Sequence, residues 1–405
     1  MKITFSPPYI CEDVEKEVLT VLRSGWITTG PKVAELQEKF CIYTGFTNSL
    51  AVNSWSSGAS LILKWFGIGP GDEVIVPAYT YCATAMVVLH AGATPVMVDI
   101  GDDFTIDVDA VSEAITPKTK AIIPVDFAGW PIDYVNLKIK VNEKASLFNP
   151  KNDEQRLLGR PLIIADAAHS IGATFNKEAA GLQSDIAIYS FHAVKNITTA
   201  EGGMIGINLP PSFDKEKVYK WLRINTLNGQ TKDAFTKSQG GSWKYDIISD
   251  GLKINMPDLN AAIALSQLRQ YESKMLSERK RVVERYLERF SPFEWAQFMP
   301  FEDNHRRSSY HIFPLRIQGI TESERDKIID HITEDKIAVN VHFIPLPMLT
   351  LFKNLGYNIN DYPIAYDNYS REISLPVYPQ LTNEQVDQVV ESVVLAYKNV
   401  MKESI

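Results

Sequence analysis

Short runs rich in valine and isoleucine alternate with helical stretches between residues 50 and 210, and this alternation constrains the fold more than any other feature. The runs span residues 73–77, 94–98, 120–125, 162–165, 186–190 and 204–207. Each run is apolar on both faces, which is typical of strands buried in a mainly parallel sheet with helices on both sides. Because ligands bind at the carboxyl ends of such strands, the residues that follow these runs are the candidates for a functional site.

Composition narrows the class of protein. The chain has 405 residues and a net charge of −8, which argues against a surface for nucleic acid or anionic membrane. Its three cysteines are widely spaced, so they predict neither a disulfide framework nor a metal site, and they favour a reducing compartment. No apolar run is long enough to span a bilayer, and the N-terminus does not read as a signal peptide. We therefore expect a soluble, cytoplasmic protein.

The chain is too long for one compact core, so we predict a large and a small domain. An amphipathic helix over residues 14–22 is broken by the Gly- and Pro-containing segment 25–31, and a second amphipathic helix starts at Asp258. Two polar segments, 141–161 and 221–250, are interpreted as long loops, the first as a surface excursion over the site and the second as functional, with Gly229, Gly240 and Gly241. The predicted division is an N-terminal arm (1–30), a large domain (31–265) and a C-terminal domain (266–405).

Asp166 follows the run at 162–165 directly. A carboxylate at the end of a buried strand is poorly solvated and needs a cationic partner, for which a protonated pyridine nitrogen would serve. Taken alone, Asp166 is also compatible with a role as the cap of the next helix.

Lys195 follows the next buried run, in a loop flanked by apolar residues. Desolvation of such a lysine lowers its pKa and makes the amine nucleophilic, although a single loop lysine is usually solvated. Segment 54–57 places hydroxyl side chains in front of an apolar helix, where backbone N–H groups can bind an anion or form an ordinary cap. Together these elements are what a phosphorylated pyridine would need around it.

Several longer motifs run along nearly the whole chain. They are SGWITTGPKVAELQEKF (24–40), GIGPGDEVIVPAYTYCAT (67–84), GATPVMVDI (92–100), IADAAHSIGA (164–173), YSFHAVKNITTAEGG (189–203), GLKINMPDLNAAIALSQL (251–268) and VHFIPLP (341–347). Together they resemble the DegT/DnrJ/EryC1/StrS family of nucleotide-sugar aminotransferases, which depend on pyridoxal 5'-phosphate (PLP). The resemblance implies an α/β fold of the aspartate-aminotransferase type (fold type I), with a large, mainly parallel sheet domain and a smaller C-terminal α+β domain.

The resemblance also implies roles for individual residues. Lys195 corresponds to the lysine that holds PLP covalently, Asp166 to the partner of the pyridine nitrogen, and Tyr81 to the aromatic residue stacked on the ring. His169 corresponds to a residue on the other side of the cofactor, near its hydroxyl. The phosphate would be bound by Ser54, Trp55, Ser56 and Ser190, and by Lys253 from the second subunit of a homodimer with shared active sites. Substrate would be bound by Trp26, Thr28, His192 and His342, and no metal is implied.

Two positions depart from the family pattern. The phosphate loop usually reads Ser-Gly-Thr, whereas this chain has Trp55 at the glycine position, so the indole either points away from the phosphate or packs on the sugar nucleotide. Lys253 and Asn255 stand where the family often has Asn and Arg, a pair similar to that of the branch that aminates C4 of UDP-linked 4-keto sugars. His311 and His342 would lie near the substrate or the domain junction, with packing roles left open.

The function that the resemblance implies is a two-step transamination. L-Glutamate gives its amino group, Lys195 acts as general base and acid, and the amino group passes to a keto carbon, expected at C4, of a nucleotide-linked deoxysugar for surface polysaccharide, lipopolysaccharide or glycan synthesis. One alternative is a keto-sugar dehydratase of the same family, in which a histidine replaces the lysine that Lys195 matches. The other is a non-catalytic protein that binds PLP or a nucleotide sugar.

Overall fold

The computed structural model describes residues 2–233, 235 and 243–403. A seven-stranded sheet forms its centre, and two three-stranded sheets flank it. The strands are β1 (Asn48–Val52), β2 (Glu73–Pro77), β3 (Thr94–Val98), β4 (Thr119–Ile122), β5 (Leu162–Asp166), β6 (Thr174–Phe175), β7 (Glu178–Ala179), β8 (Ile186–Ser190), β9 (Gly203–Ile207), β10 (Ala296–Phe298), β11 (Arg306–Arg307), β12 (Phe313–Ile317) and β13 (Glu372–Leu375).

The direction of the strands places the site. In the central sheet the order is β1-β9-β8-β5-β4-β2-β3, and only β9 runs antiparallel to its two neighbours. The carboxyl ends of the other six strands therefore meet at one edge of the sheet, together with the start of β9. Residues 162–166 and 186–190 are all buried, as expected for strands covered on both faces. The predicted mainly parallel sheet of fold type I is confirmed.

Helices cover both faces of the central sheet and build most of the C-terminal part. They are α1 (Glu12–Ser24), α2 (Pro31–Thr44), α3 (Trp55–Trp65), α4 (Ala83–His90), α5 (Val108–Ala114), α6 (Tyr134–Glu143), α7 (Asp153–Leu158), α8 (Lys215–Asn225), α9 (Asp258–Arg269), α10 (Ser277–Phe290), α11 (Glu322–Glu334), α12 (Thr350–Asn354), α13 (Pro363–Arg371) and α14 (Asn383–Glu403).

The N-terminal helices begin and end where the sequence predicts. Helix α1 ends at Gly25, whose φ of 73° is a left-handed conformation that glycine adopts without strain. Helix α2 begins with Pro31 in its first turn, where a missing N–H costs nothing. Both helices pack on α9, so the segment 1–30 is attached to the large sheet domain through that helix.

The C-terminal part is an α+β unit. Its sheet has the order β10-β12-β13, all antiparallel, and α11 and α14 pack together beside it. The predicted domain limit at 265/266 falls inside α9, and the chain then passes through a π-helical turn, Tyr271–Leu276, into α10. The single long amphipathic helix expected from Asp258 onward is thus interrupted once, and the domain limits stay a prediction.

The two segments interpreted as long loops differ from expectation. Residues 141–161 contain α7, and buried Gln155 donates a hydrogen bond to the Phe66 carbonyl (2.7 Å), which ties the segment to α3 and not to the site. The segment is largely exposed or half-buried, as predicted for a surface excursion, but none of its residues borders the cavity of this chain. Its predicted position over the site is therefore wrong, because the Gln155 side chain anchors it elsewhere. In segment 221–250, α8 continues to Asn225, and Gly240 and Gly241 lie outside the described residues.

Candidate active site

A cavity of about 420 Å³ opens at the edge where the strand ends meet. The central sheet supplies one wall, which we call the cofactor wall: the residues at or just after the ends of β1, β2, β5 and β8. The C-terminal part supplies the opposite wall, which we call the C-terminal wall: His311, Ile312, His342, Phe343 and Val377. Phe5 and Ser6 also border the cavity.

Asp166 is the last residue of β5 and is buried at the base of the cavity. Its Oδ2 accepts a hydrogen bond from the Thr84 hydroxyl (2.9 Å), and its Oδ1 accepts one from the Ala168 N–H (3.2 Å). Burial raises the pKa of Asp166 to about 6, against these two hydrogen bonds and the nearby charge of Lys195. A cation in the cavity would remove that penalty, because an opposite charge favours the ionised carboxylate.

Lys195 lies in the loop after β8 and borders the same cavity. Its backbone N–H donates to the His192 carbonyl (2.9 Å), and this hydrogen bond closes a turn over residues 192–195. Burial lowers the pKa of Lys195 to about 8, and the charge of Asp166 opposes this decrease. About a tenth of the amine is therefore unprotonated at pH 7 and able to act as a nucleophile, far more than for an ordinary lysine.

The start of α3 forms an anion site. Ser54 caps the helix and accepts a hydrogen bond from the Ser57 N–H (3.1 Å), so the N–H groups of Trp55 and Ser56 have no partner within the helix. At Gly203, which opens β9, a Cβ atom would lie 2.9 Å from the Ser54 carbonyl carbon. Glycine at this position therefore lets β9 pass directly beside the anion site.

Ser190 and Trp55 complete the description of that site. The Ser190 hydroxyl accepts the His192 N–H (3.3 Å) and keeps its own proton available for an anion in the cavity. The Trp55 side chain is only 5% exposed and belongs to the hydrophobic core. Trp55 also borders the cavity, and its predicted contact with the cofactor stays a prediction.

His169 and Tyr81 border the space between these groups. The His169 Nδ1 is buried without a hydrogen-bond partner among the described residues, which suits a polar group of a bound ligand. Its ring lies 4.2 Å from that of His311, and burial holds the pKa of both histidines well below the usual range. Tyr81 is 61% exposed, and its ring faces Phe343 at 5.9 Å.

Of the four residues predicted to bind substrate, two border the cavity. His192 is exposed, with Nε2 3.8 Å from Glu201, and His342 is half-buried in the C-terminal wall. Trp26 and Thr28 lie outside the cavity of their own chain, next to the start of α9: the Trp26 indole donates to the Thr29 carbonyl, and the Thr28 carbonyl accepts the Asp258 N–H.

Lys253 also lies outside the cavity of its own chain. It is exposed on a segment that pairs with the end of β1 through Asn255 and Val52, and its ammonium group donates to the Asn255 side chain. Its predicted role, contact with the phosphate bound in a second subunit, stays a prediction.

Sequence reasoning missed several residues that matter for the geometry. Thr84 holds Asp166 but stands at the start of α4, 82 positions away in sequence, where only the strand order brings it near. Phe5 stacks on His342 with ring centroids 5.5 Å apart, although no pattern in the N-terminal segment indicates this contact. In the C-terminal wall, the side chains come from irregular segments that have no periodic signature.

The described residues match the chemistry of PLP at each of its functional groups. Asp166 would hold the pyridine nitrogen, the start of α3 and Ser190 the phosphate, and the unpartnered His169 Nδ1 would serve a ring substituent. Fold and site thus define a PLP-dependent enzyme of fold type I.

Comparison with known proteins gives the family. Residues 8–394 match the model of the DegT/DnrJ/EryC1/StrS aminotransferase family, and the chain belongs to that family. It is 35% identical over 399 residues to the spore coat polysaccharide biosynthesis protein SpsC of Bacillus subtilis, with 96% of each chain covered. The family is PLP-dependent, and the predicted cofactor is confirmed.

Solved structures agree with this assignment. Spr1654 from Streptococcus pneumoniae, named as a sugar aminotransferase and solved in a PMP-form, is 43% identical and superimposes with a TM-score of 0.95 over 98% of this chain and 100% of that one. PseC from Helicobacter pylori, an aminotransferase involved in the biosynthesis of pseudoaminic acid, is 25% identical with a TM-score of 0.86 over 98% and 100%. The chain is a sugar aminotransferase by family, and no helix among its described residues could cross a membrane.

Proposed function

We propose that this enzyme transfers the amino group of L-glutamate to the C4 keto group of a nucleotide-linked deoxysugar. The observation that carries the proposal is the pair Asp166, at the buried end of β5, and Lys195, in the loop after β8, two oppositely charged side chains that border one cavity. The product would enter surface polysaccharide, lipopolysaccharide or glycan synthesis. The three free cysteines favour a cytoplasmic location.

The chain's own residues supply binding and proton transfer. PLP, when bound, supplies an aldehyde that takes up an amine and a ring that withdraws electrons. Lys195 Nζ, with its pKa of about 8, acts first as general base and takes the proton from the carbon that bears the amino group. It then acts as general acid and returns that proton to the cofactor carbon to which the amino group has been transferred. Buried Asp166 stabilises positive charge on the ring nitrogen, since the low polarity around it makes an ion pair strong.

The anion site and the two histidines position the reactants. The N–H groups at the start of α3 and the Ser190 hydroxyl hold the phosphate, and the dipole of α3 adds to the attraction. His342 and His192, at the C-terminal wall and at the mouth of the cavity, are the groups proposed to bind sugar. The nucleotide is proposed to contact Trp26 and Thr28 of a second subunit, because these residues lie outside the cavity of their own chain.

The leaning toward C4 and a UDP-linked substrate comes from Lys253, Asn255 and segment 189–203, which resemble the branch of the family that aminates 4-keto sugars. The name of SpsC associates that relative with spore coat polysaccharide, and that of PseC with pseudoaminic acid, which supports a role in the synthesis of cell-surface sugars.

A panel of UDP-, dTDP- and GDP-linked 3-keto and 4-keto sugars tests the proposal. Each is incubated with L-glutamate and PLP-loaded enzyme, and the product is identified by mass and NMR. We expect amination of 4-keto UDP-sugars, and no product with Lys195→Ala, while the matched variant Lys118→Ala of an exposed lysine outside the cavity retains activity. Turnover of 3-keto sugars alone would contradict the C4 assignment, and loss of a hydroxyl without nitrogen gain would indicate the dehydratase.

A further inference from the structure

We propose that Glu372 and Ser374 form a hydrogen-bonded relay that sets which ring nitrogen of His342 carries the proton presented to the cavity. Glu372 and Ser374 belong to β13, and His342 lies in the neighbouring segment, which pairs with β13 through Asn340 and Ser374 and borders the cavity. Glu372 and Ser374 are completely buried, and neither borders the cavity. They are positioning residues, and His342 is the residue that meets a ligand.

The relay is continuous. Glu372 and Ser374 are two positions apart on a strand, so their side chains point to the same face. The Ser374 hydroxyl and Glu372 Oε1 are hydrogen-bonded to each other, and the backbone N–H of His342 donates to Glu372 Oε2 (3.1 Å). The ring Nδ1 of His342 lies 2.9 Å from the Ser374 hydroxyl. Backbone hydrogen bonds between Asn340 and Ser374 (3.1 and 2.7 Å) keep the two segments in register.

The histidine ring is held in place as well. It packs against Phe5 (5.5 Å) on one side and meets the edge of Phe343 (4.9 Å) on another. Burial and the charge of Lys195 lower the pKa of His342 to about 3, so the ring is neutral near neutral pH and carries one N–H. Nδ1 is engaged by Ser374, and Nε2 has no hydrogen bond to the described residues, which leaves Nε2 for a ligand in the cavity.

Counting protons gives two arrangements. The serine hydroxyl has one proton and can donate in only one direction. If Glu372 is ionised, Ser374 donates to it and accepts from Nδ1–H, so Nε2 carries no proton and accepts a hydrogen bond from a ligand. If Glu372 is protonated, its O–H donates to Ser374, Ser374 donates to Nδ1, and Nε2–H becomes a donor.

The protonation of Glu372 decides between these arrangements. Its burial raises its pKa to about 8, against hydrogen bonds from Ser374 and His342 and the charge of Arg325. Near neutral pH the carboxyl is therefore protonated, and Nε2–H faces the cavity as a donor suited to a carbonyl or carboxylate oxygen of substrate. The titratable and charged groups around Glu372 are Arg325 of α11, Arg316 opposite it on β12, Arg371 before it on α13, Tyr79 after β2, and His342.

Tautomers of histidine are distinguished directly by ¹⁵N NMR, so the test needs no sugar substrate. PLP-loaded enzyme is labelled with [¹⁵N]histidine and titrated from pH 6 to 10, and the His342 signals are assigned with His342→Gln. We expect a change from the Nε2–H to the Nδ1–H tautomer with a midpoint near the pKa of Glu372, about 8. In Glu372→Gln the amide NH₂ replaces the carboxyl proton as donor to Ser374, and His342 should stay in the Nε2–H form throughout.

Ser374→Ala breaks the relay without adding volume, and the tautomer of His342 in this variant should no longer depend on pH. The control is Ser370→Ala, which removes a hydroxyl that donates to the Asp367 carbonyl, and it should behave as the wild type. A wild-type His342 with one tautomer across the range would overturn the inference, and so would a transition that persists in Ser374→Ala, since it would then arise from the titration of Lys195 or another neighbour.

The effect on activity rests on the proposed function and is measured separately. With a keto-sugar substrate, the ratio of wild-type kcat/KM to that of Glu372→Gln should fall about tenfold or more as pH rises through the Glu372 pKa of about 8, and the titration of Lys195, which both proteins share, cancels in this ratio. A tautomer change by NMR without activity on any keto sugar would contradict the proposed function and leave the relay intact. Activity on a keto sugar without a tautomer change would contradict the relay alone.

Discussion

The two walls of the cavity are built by different physical means. The cofactor wall consists of the ends of parallel strands, where the sheet itself brings Asp166, Ser190 and the cap residue Ser54 to one edge. The C-terminal wall consists of irregular segments and is held by side-chain contacts such as those of His342 with Ser374 and Phe5. The sheet thus positions the side chains of the first wall, where we propose that the cofactor binds, whereas tertiary contacts position those of the second, where we propose that the sugar binds.

Asp166→Asn should give the largest loss and affects the cofactor wall only. It keeps the shape of the side chain and removes the charge that the pyridine nitrogen needs. Breaking a buried ion pair on one side costs about 3–5 kcal/mol, which corresponds to roughly 10²–10⁴-fold in kcat/KM. Steady-state kinetics with saturating PLP measure the loss. Activity within about twofold of the wild type would show that Asp166 does not contact the cofactor.

Lys253 tests whether the cofactor wall is complete within one chain. Loss of a charged hydrogen bond to the phosphate, worth about 1.5–3 kcal/mol, should weaken PLP binding by about 10–100-fold in Lys253→Ala. Co-refolding this variant with Lys195→Ala should regain up to about a quarter of the sites, because each mixed dimer would hold one intact site. A mixture with only the summed activity of its two parents would argue against shared sites.

Thr84 tests whether the hydrogen bond that it donates to Asp166 matters for the chemistry at the cofactor wall. Thr84→Val keeps the shape and removes the hydroxyl that donates to Asp166, so kcat should fall about tenfold, while Thr84→Ser should recover most of it. The pH at which activity rises should also move upward in Thr84→Val, since that hydroxyl lowers the pKa of Asp166. Equal activity of the two variants would assign Thr84 a packing role only.

The C-terminal wall gives the smallest expected effect, on stability. Glu372 has its pKa raised from 4.5 to about 8 in the folded protein, so its contribution to stability is complete below pH 4.5 and is lost as pH rises toward 8. Glu372→Gln lacks this dependence. Its Tm relative to the wild type should therefore increase by about 2–4 °C or more between pH 5 and pH 9 in thermal unfolding scans. A constant difference between the two proteins would show that Glu372 ionises normally.

The same contrast explains what the sequence could predict. Asp166, Lys195 and segment 54–57 follow apolar runs, so a parallel sheet is enough to bring them together, and the family motifs supplied the cofactor. The roles of Thr84 and Glu372 could not be predicted, because a threonine at a helix start and a buried carboxylate in a short strand have no distinctive pattern. The predicted position of segment 141–161 over the site was wrong for a similar reason, because the contact of Gln155 with Phe66 is a tertiary contact that no local pattern indicates.

Residues outside the cavity of their own chain form a third case. Trp26, Thr28 and Lys253 were predicted from the resemblance, and a single chain does not bring them to the site. They lie beside α9 and the end of β1, so their predicted roles would require a second subunit, whose position no local sequence pattern encodes.

The central claim is that Lys195 carries the cofactor through which an amino group is transferred, and one absorbance experiment tests it most directly. PLP-loaded enzyme is mixed with L-glutamate, the visible band is followed, and 2-oxoglutarate is quantified. We predict that the band fades as one equivalent of 2-oxoglutarate forms per site, and that Lys195→Ala forms none on this time scale. A band that is unchanged by glutamate in the wild type, or equal 2-oxoglutarate formation by Lys195→Ala, would contradict the account.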